Sequence, residues 1–462
     1  MVPLLKVCWL VGSLFFMGDA LHSIIAGKTG REDVFFRISL AYGLGTGTLC
    51  LLMFYLSLCG AKIGFTTIVF VSLPFLVLFL YKKNFHIPVS LPRLSLSTRS
   101  FTALFLVCLI ILSMAVIVWR ALYLPMHLPD DIAQWGLKAK ILFYEQTVRA
   151  DDFFDPNRLM YHAFYPFLVP LLESFFYTAM GAINDTWVKI PFPLFFTALL
   201  FFMYGAQKPF SSRHHALLFT CIVALLPVFI RDVHGNPSSG YADVPFTFYY
   251  TVAAVLLFTW LHEKTPGNVA LAALFITFAV FSKKEGFIVW GILFFTTLLC
   301  MRIHTGKEVR HALWFTTVFA GLPAVLLLPW IFFSNTIHVH PWEHEFEIAA
   351  LSFSSMLPRL SRIPMIASAF FQSLFSPRHY NIFWFMFCAV VIIRFRQTFS
   401  RTGLFFVLLI AGNVCALFCA ALLFPYGWWT GMLYDIPRLF MINAPLAACF
   451  MSYQLALTDK RP

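Results

Sequence analysis

The sequence predicts an all-α, polytopic membrane protein, on three observations. Of its 462 residues, 60% are hydrophobic and only 12% are charged, about half the charged share of a soluble domain. The apolar residues fall into about thirteen runs, most of them near the length needed to cross a bilayer. The basic residues behind the net charge of +12 cluster between those runs, as membrane topology requires. This pattern excludes a nucleic-acid surface. The ten cysteines lie in or beside apolar runs and form neither metal-type CxxC pairs nor a disulfide framework.

In chain order, the expected spans are 4–25, 36–59, 63–81, 101–124, 187–206, 216–231, 245–262, 268–281, 287–301, 312–333, 381–394, 403–424 and 438–457. The first run is too long for a signal peptide and lacks a small-residue cleavage site, so it reads as a retained helix. Segments 82–100, 207–215, 302–310 and 394–401 carry Lys82, Lys83, Arg93, Lys208, Arg213, Arg302, Arg310, Arg394 and Arg396, which places them in the cytoplasm. One more apolar stretch, 164–181, holds Pro166, Pro170 and Glu173. Read as an interfacial or re-entrant helix rather than a span, it lets every basic cluster share one side. Loops 125–186, 232–244, 282–286, 334–380 and 425–437 then share the opposite, non-cytoplasmic face.

These loops hold nearly all the chemically capable side chains. The first begins PDDIAQWGLKAKILF. Asp130 and Asp131 stand where a helix N-cap would stand, or where a general base would meet an acceptor at the membrane surface. From 132 to 143 the spacing suits an amphipathic helix. Trp135, Leu137, Ile141 and Leu142 would face lipid, with Gln134, Lys138 and Glu145 turned away. The second loop ends GYADVP, with Asp243 as cap or ion ligand at the mouth of a span. FSKKEGF puts Lys283, Lys284 and Glu285 in a tight outer turn, against the positive-inside rule. They can meet an anionic ligand or snorkel from an exposed turn. The loop 334–380 reads as a mobile lid, and His338, His340 and His344 offer a less constrained metal alternative. Arg438 enters the last span from outside, and a cation there marks a functional position. Trp428, Trp429 and Tyr434 precede it as an interfacial belt.

The order of these pieces resembles the polytopic GT-C glycosyltransferases, in particular bacterial relatives of protein O-mannosyltransferases and the lipid A aminoarabinose transferase (glycosyltransferase family 39-like). PDDIAQWGLKAKILF resembles the acidic first-loop motif. HAFYPFLVPLLESFFYTAMG resembles the Tyr-Pro-rich interfacial helix, and GYADVPFTFY the second-loop acidic motif. FSKKEGF resembles a Thr-Lys-Asn-Glu-Gly element, with Ser282 and Lys284 in place of its Thr and Asn. YDIPRLF resembles the terminal Asp-Arg-Leu element, although Ile436 and Pro437 separate Asp435 from Arg438. The likeness runs from about 101 to 457. Residues 1–100 read as additional N-terminal helices, 101–333 as the catalytic core and 381–462 as C-terminal helices.

The resemblance implies a bundle of about thirteen transmembrane helices with juxtamembrane helices in the first large outer loop. It implies transfer of a sugar from a polyprenyl-phosphate donor to a glycan, lipid or protein acceptor, with inversion, on the outer face of a bacterial inner membrane. Asp130 would be the catalytic base, with Asp131 at the second acidic position. Lys138, Lys283, Lys284 and Arg438 would meet the donor phosphate. Asp243 and Glu285 would meet the acceptor or an ion. Some members use a divalent metal, Mg or Mn, and others none. The competing reading is a transporter or flippase for a lipid-linked or anionic solute. Transport sites lie near the bilayer midplane, commonly within internal repeats. Here no repeat is visible and the charges sit in loops at one face.

Overall fold

A computed structural model describes residues 2–26, 33–82, 98–155, 157–158, 160–305, 309–337, 358–400, 403–423 and 429–459. The described residues are helical or connecting, without strands. In order the helices are α1 (Val2–Ile25), α2 (Val34–Leu58), α3 (Phe65–Lys82), α4 (Thr98–Tyr123), α5 (Leu137–Glu145), α6 (Leu168–Met180), α7 (Pro191–Gln207), α8 (Arg213–Ala224) and α9 (Pro227–Ile230). They continue with α10 (Asp243–Glu263), α11 (Pro266–Ser282), α12 (Gly286–Thr305), α13 (Val309–Ser334), α14 (Ile363–Leu374) and α15 (Phe383–Ile393). The last are α16 (Phe395–Thr398), α17 (Gly403–Leu423), α18 (Trp429–Leu439) and α19 (Asn443–Asp459).

Every expected span has a helix. Among the described residues, nine helices are long and apolar enough to cross a membrane, making the chain a multi-pass integral membrane protein. Three others are shorter, at 65–81, 266–282 and 383–393. The expected span 216–231 is not continuous. It breaks into α8 and α9 at Pro227, whose ring cannot sit inside a helix without losing a backbone hydrogen bond.

α10 is the axis of the bundle and is buried along almost its whole length. α7, α11 and α12 pack around it. Polar side chains tie these apolar helices together. Tyr249 donates its hydroxyl to the Gly43 carbonyl at 3.1 Å. Asn413 donates to Tyr250 at 3.1 Å and to Asn443 at 2.8 Å. α1 and α2 lie almost backbone to backbone. A Cβ at Gly45 would fall 1.7 Å from the Leu14 carbonyl oxygen, and one at Gly18 equally close to that of Ala41. Small residues permit such an approach where lipid gives no hydrophobic incentive to associate. The pair is pinned at one end by Arg37, which donates to Asp19 at 2.6 and 3.0 Å. Asp33 caps α2 and pairs with Lys208 on the way out of α7.

α6 is too short to cross, at 13 residues and about 20 Å, in keeping with its exclusion from the spans. Most of its residues are buried, between α5 on one side and α1 and α2 on the other. An apolar stretch looks the same in sequence whether lipid or protein covers it.

Candidate active site

The loops 125–186, 232–244 and 282–286 and the start of the last span meet at one end of the bundle. Their charges form an alternating network. Asp130 enters a wide helical turn, Asp131–Gly136, closed by the Leu137 N–H on the Ile132 carbonyl. Such π turns favour functional positions because they interrupt the regular ladder. Arg438 Nη1 donates to Asp130 Oδ2 at 2.7 Å, and Nη2 to Asp435 Oδ2 at 3.1 Å. The guanidinium lies over the Tyr241 ring, 5.3 Å from its centroid. Tyr241 in turn accepts the Asp130 backbone N–H at 3.1 Å. Asp130 is thus fixed by two residues far away in sequence. Among the described residues its Oδ1 accepts no hydrogen bond, and the side chain keeps 23% of its exposure.

Lys283 sits deeper. Its Nζ donates to Asp243 Oδ1 at 2.8 Å and lies 3.7 Å from Glu285 Oε1. Those two carboxylates outweigh burial and raise the Lys283 pKa above its ordinary value. Gly235 lets the second loop close on this network. Its φ is +78°, and a Cβ would meet Arg438 Cγ at 2.7 Å and Asp243 Cβ at 3.1 Å, so both conformation and space require glycine. Lys284 lies at the rim, with its ammonium over the rings of Phe164 and Tyr165 at 4.3 and 4.8 Å.

Of the residues expected at the site, Asp130, Asp243, Lys283, Glu285 and Arg438 come together, with Lys284 beside them. Lys138 does not join them. It is fully buried, donates to the His162 carbonyl and lies near the rings of Trp135 and Phe167. The amphipathic reading of this helix is overturned at three positions. Trp135 and Leu142 are buried in protein, not turned to lipid, and Lys138 shares their interior. Asp131 is also fully buried and points away from Asp130's partners. Two site residues went unassigned in sequence. Asp435 is the second carboxylate on Arg438. His234 lies 3.8 Å from Asp435 and stacks on Tyr241, and the hydrogen bond to Asp435 raises its pKa. The proximity of Asp435 to Arg438 in sequence was the available signal for the first. His234 had none.

Tyr434 is exposed, while Trp428 and the Trp429 side chain lie outside the description, as do His338, His340 and His344. No group of three His, Cys, Asp or Glu able to share a metal occurs among the described residues. Arg438 and Lys283 each hold one carboxylate oxygen, of Asp130 and Asp243 respectively.

No family model matches the chain, and no curated protein matches it. Solved structures do. The oligosaccharyltransferase of Archaeoglobus fulgidus, tethered with an acceptor peptide containing the NVT sequon, aligns with TM-score 0.51 and 12% identity. The alignment covers 77% of this chain and 50% of that one. ArnT from Cupriavidus metallidurans bound to undecaprenyl phosphate aligns with TM-score 0.48 and 13% identity, over 78% of this chain and 60% of that one. Archaeal AglB from Archaeoglobus fulgidus, in complex with an inhibitory peptide and a dolichol-phosphate, aligns with TM-score 0.49 and 11% identity, over 77% and 50%. The chain thus spans between half and three-fifths of the length of these structures. It shares its fold with the oligosaccharyltransferase, in keeping with the resemblance read from the sequence.

Proposed function

We propose that the chain is a membrane glycosyltransferase. It moves a hexosyl or pentosyl group from a polyprenyl-phosphate donor to a glycan, lipid or protein acceptor, on the non-cytoplasmic face of a bacterial inner membrane. The carrying observation is Asp130 on this fold, with one carboxylate oxygen held by Arg438 and the other open. In this reading Oδ1 takes the proton of the acceptor nucleophile. The nucleophile attacks the anomeric carbon, the bond to the donor phosphate breaks, and configuration inverts. Preorganised cations are worth most where charge develops in a site that excludes water.

The four proposed phosphate cations differ in reach. Lys284 lies at the rim and Arg438 just inside it, 15% exposed, and these two are the first to meet the leaving phosphate. Lys283 is enclosed and acts from behind, holding Asp243 and Glu285 in register. Lys138 supports the first loop from within. Asp243 and Glu285 are the acceptor-facing carboxylates.

The test is a transfer assay with radiolabelled polyprenyl-phosphate sugars and a membrane extract as acceptor. Wild type is expected to transfer label. Asp130→Asn, with unchanged melting, is expected to lose about 10²- to 10⁴-fold in rate. Full transfer by Asp130→Asn would remove Asp130 as base while keeping the class. No transfer from any donor would overturn the reading in favour of transport of a lipid-linked or anionic solute.

A further inference from the structure

Immediately behind Asp130, Asp131 turns into the protein. Its side chain is fully buried, and so is that of Glu173 on α6. Both press on the same point of the second loop. A Cβ at Gly240 would lie 3.0 Å from Glu173 Oε1 and 3.1 Å from Asp131 Cβ. None of the four carboxylate oxygens has a side-chain hydrogen-bond partner. The backbone N–H groups of His127 and Leu128 are turned toward Asp131.

The nearby cations are committed elsewhere. Lys189 donates to the Leu124 carbonyl at 2.6 Å. Lys140 donates to Asp185 at 2.8 Å, and Tyr177, one turn on from Glu173, gives its hydroxyl to the same carboxylate at 2.8 Å. His127 faces Asp232 at 3.1 Å. Two adjacent buried carboxylates with no cation in hydrogen-bond contact cannot both stay ionised.

We infer that Glu173 carries a proton in the working protein and donates it as a hydrogen bond to ionised Asp131, so that Glu173 is a positioning residue for the turn that carries Asp130. The pair then holds one proton and one negative charge. It joins three segments: the first-loop turn, α6, and the second loop at Gly240, next to the Tyr241 that receives the Asp130 N–H. Burial and the neighbouring Asp131 push the Glu173 pKa well above the usual carboxylate range. This inference rests on the reading of Asp130 as the base, but its first test does not.

Infrared difference spectra of the purified full-length chain at neutral pH, wild type against Glu173→Gln, should show one protonated-carboxyl stretch that shifts in D₂O and is lost in the variant. Absence of such a band, or its persistence in Glu173→Gln, would overturn the inference. Kinetics test the positioning. Glu173→Gln keeps a donor and should retain most of the transfer rate. It should also abolish the fall in kcat expected of wild type as pH rises and Glu173 ionises. Glu173→Leu keeps no donor and should lose about 10- to 100-fold in kcat with KM little changed. An unchanged kcat in Glu173→Leu would also overturn it. If the band is present but no donor supports transfer, the proton assignment stands and only the reading of Asp130 fails.

Discussion

At the front of the site Asp130 shares Arg438 with Asp435, and Asp243 is locked to Lys283. At the back, one residue along, Asp131 lies against Glu173 without a cationic partner in hydrogen-bond contact. Both regions bury carboxylates, but they stabilise them by opposite means. The front pairs each charge with a guanidinium or ammonium; the back removes a charge by holding a proton. A front built this way can receive an anion or an acceptor by exchanging partners. A back built this way is rigid only while its proton stays.

Four tests would break or sharpen that contrast. The largest effect is expected for Arg438→Leu, which strips the shared cation from two carboxylates. It should lower stability by about 3–5 kcal/mol and transfer by at least about 10²-fold, read from thermal melts and the assay above. Arg438→Lys should recover only part of this, because an ammonium cannot reproduce the two-pronged contact. Retained activity in the leucine variant would remove the front network from the mechanism.

Next, Lys283→Met should cost about 3 kcal/mol by leaving Asp243 buried without its cation. The double variant Lys283→Met/Asp243→Asn should cost less than the two single changes together, with a coupling of about 1–3 kcal/mol. Additive costs would mean that the pair is structural decoration.

Third is pH dependence at the back. Burial raises Asp131 from 3.8 to about 6, so the folded protein binds this proton more tightly than the unfolded chain. The associated stability is whole below about pH 4 and is lost as pH rises through about 6. Melts across this window should show a decline of roughly 1–3 kcal/mol that is absent in Asp131→Asn. A flat wild-type profile would show that Asp131 has a cationic partner after all. The smallest effect is expected for Arg158→Ala. Arg158 is 58% exposed beside Asp152 and Asp155, and its loss should change stability by less than about 1 kcal/mol. A larger cost would show that exposed pairs matter here as much as the buried front.

The helical architecture was legible because hydropathy alone fixes where a chain can cross a bilayer. The grouping of loops 125–186, 232–244 and 282–286 at one end was legible from the basic clusters at 82–100, 207–215, 302–310 and 394–401. The pairing within the site was not. Arg438 reaches Asp130 across 308 positions, and nothing local to either residue announces it. Lys138 and Glu173 went astray for a related reason. An amphipathic pattern separates polar from apolar faces but does not say whether lipid or another helix covers the apolar one. In this bundle protein covers it, and the polar residues are buried with it. Asp130 and Asp131 looked alike because the wide turn at Asp131–Gly136, which sends them in different directions, is set by packing against Gly240 and Tyr241 rather than by their own sequence.

The broken span has a consequence for the surrounding membrane. α8 and α15 have 12 and 11 residues, about 18 and 17 Å of helix, against a hydrocarbon core of about 30 Å. Both pack on α19, and Val228 in α9 donates to the His379 carbonyl just before α15 at 2.9 Å. The two short helices therefore lie on one flank, and hydrophobic mismatch should draw the lipid leaflets together along it. Spin labels on this flank should report shallower immersion than labels on α4. A dip in the bilayer beside the site would give a headgroup-bound reactant a shorter path to Asp130 than it would have through lipid of full thickness.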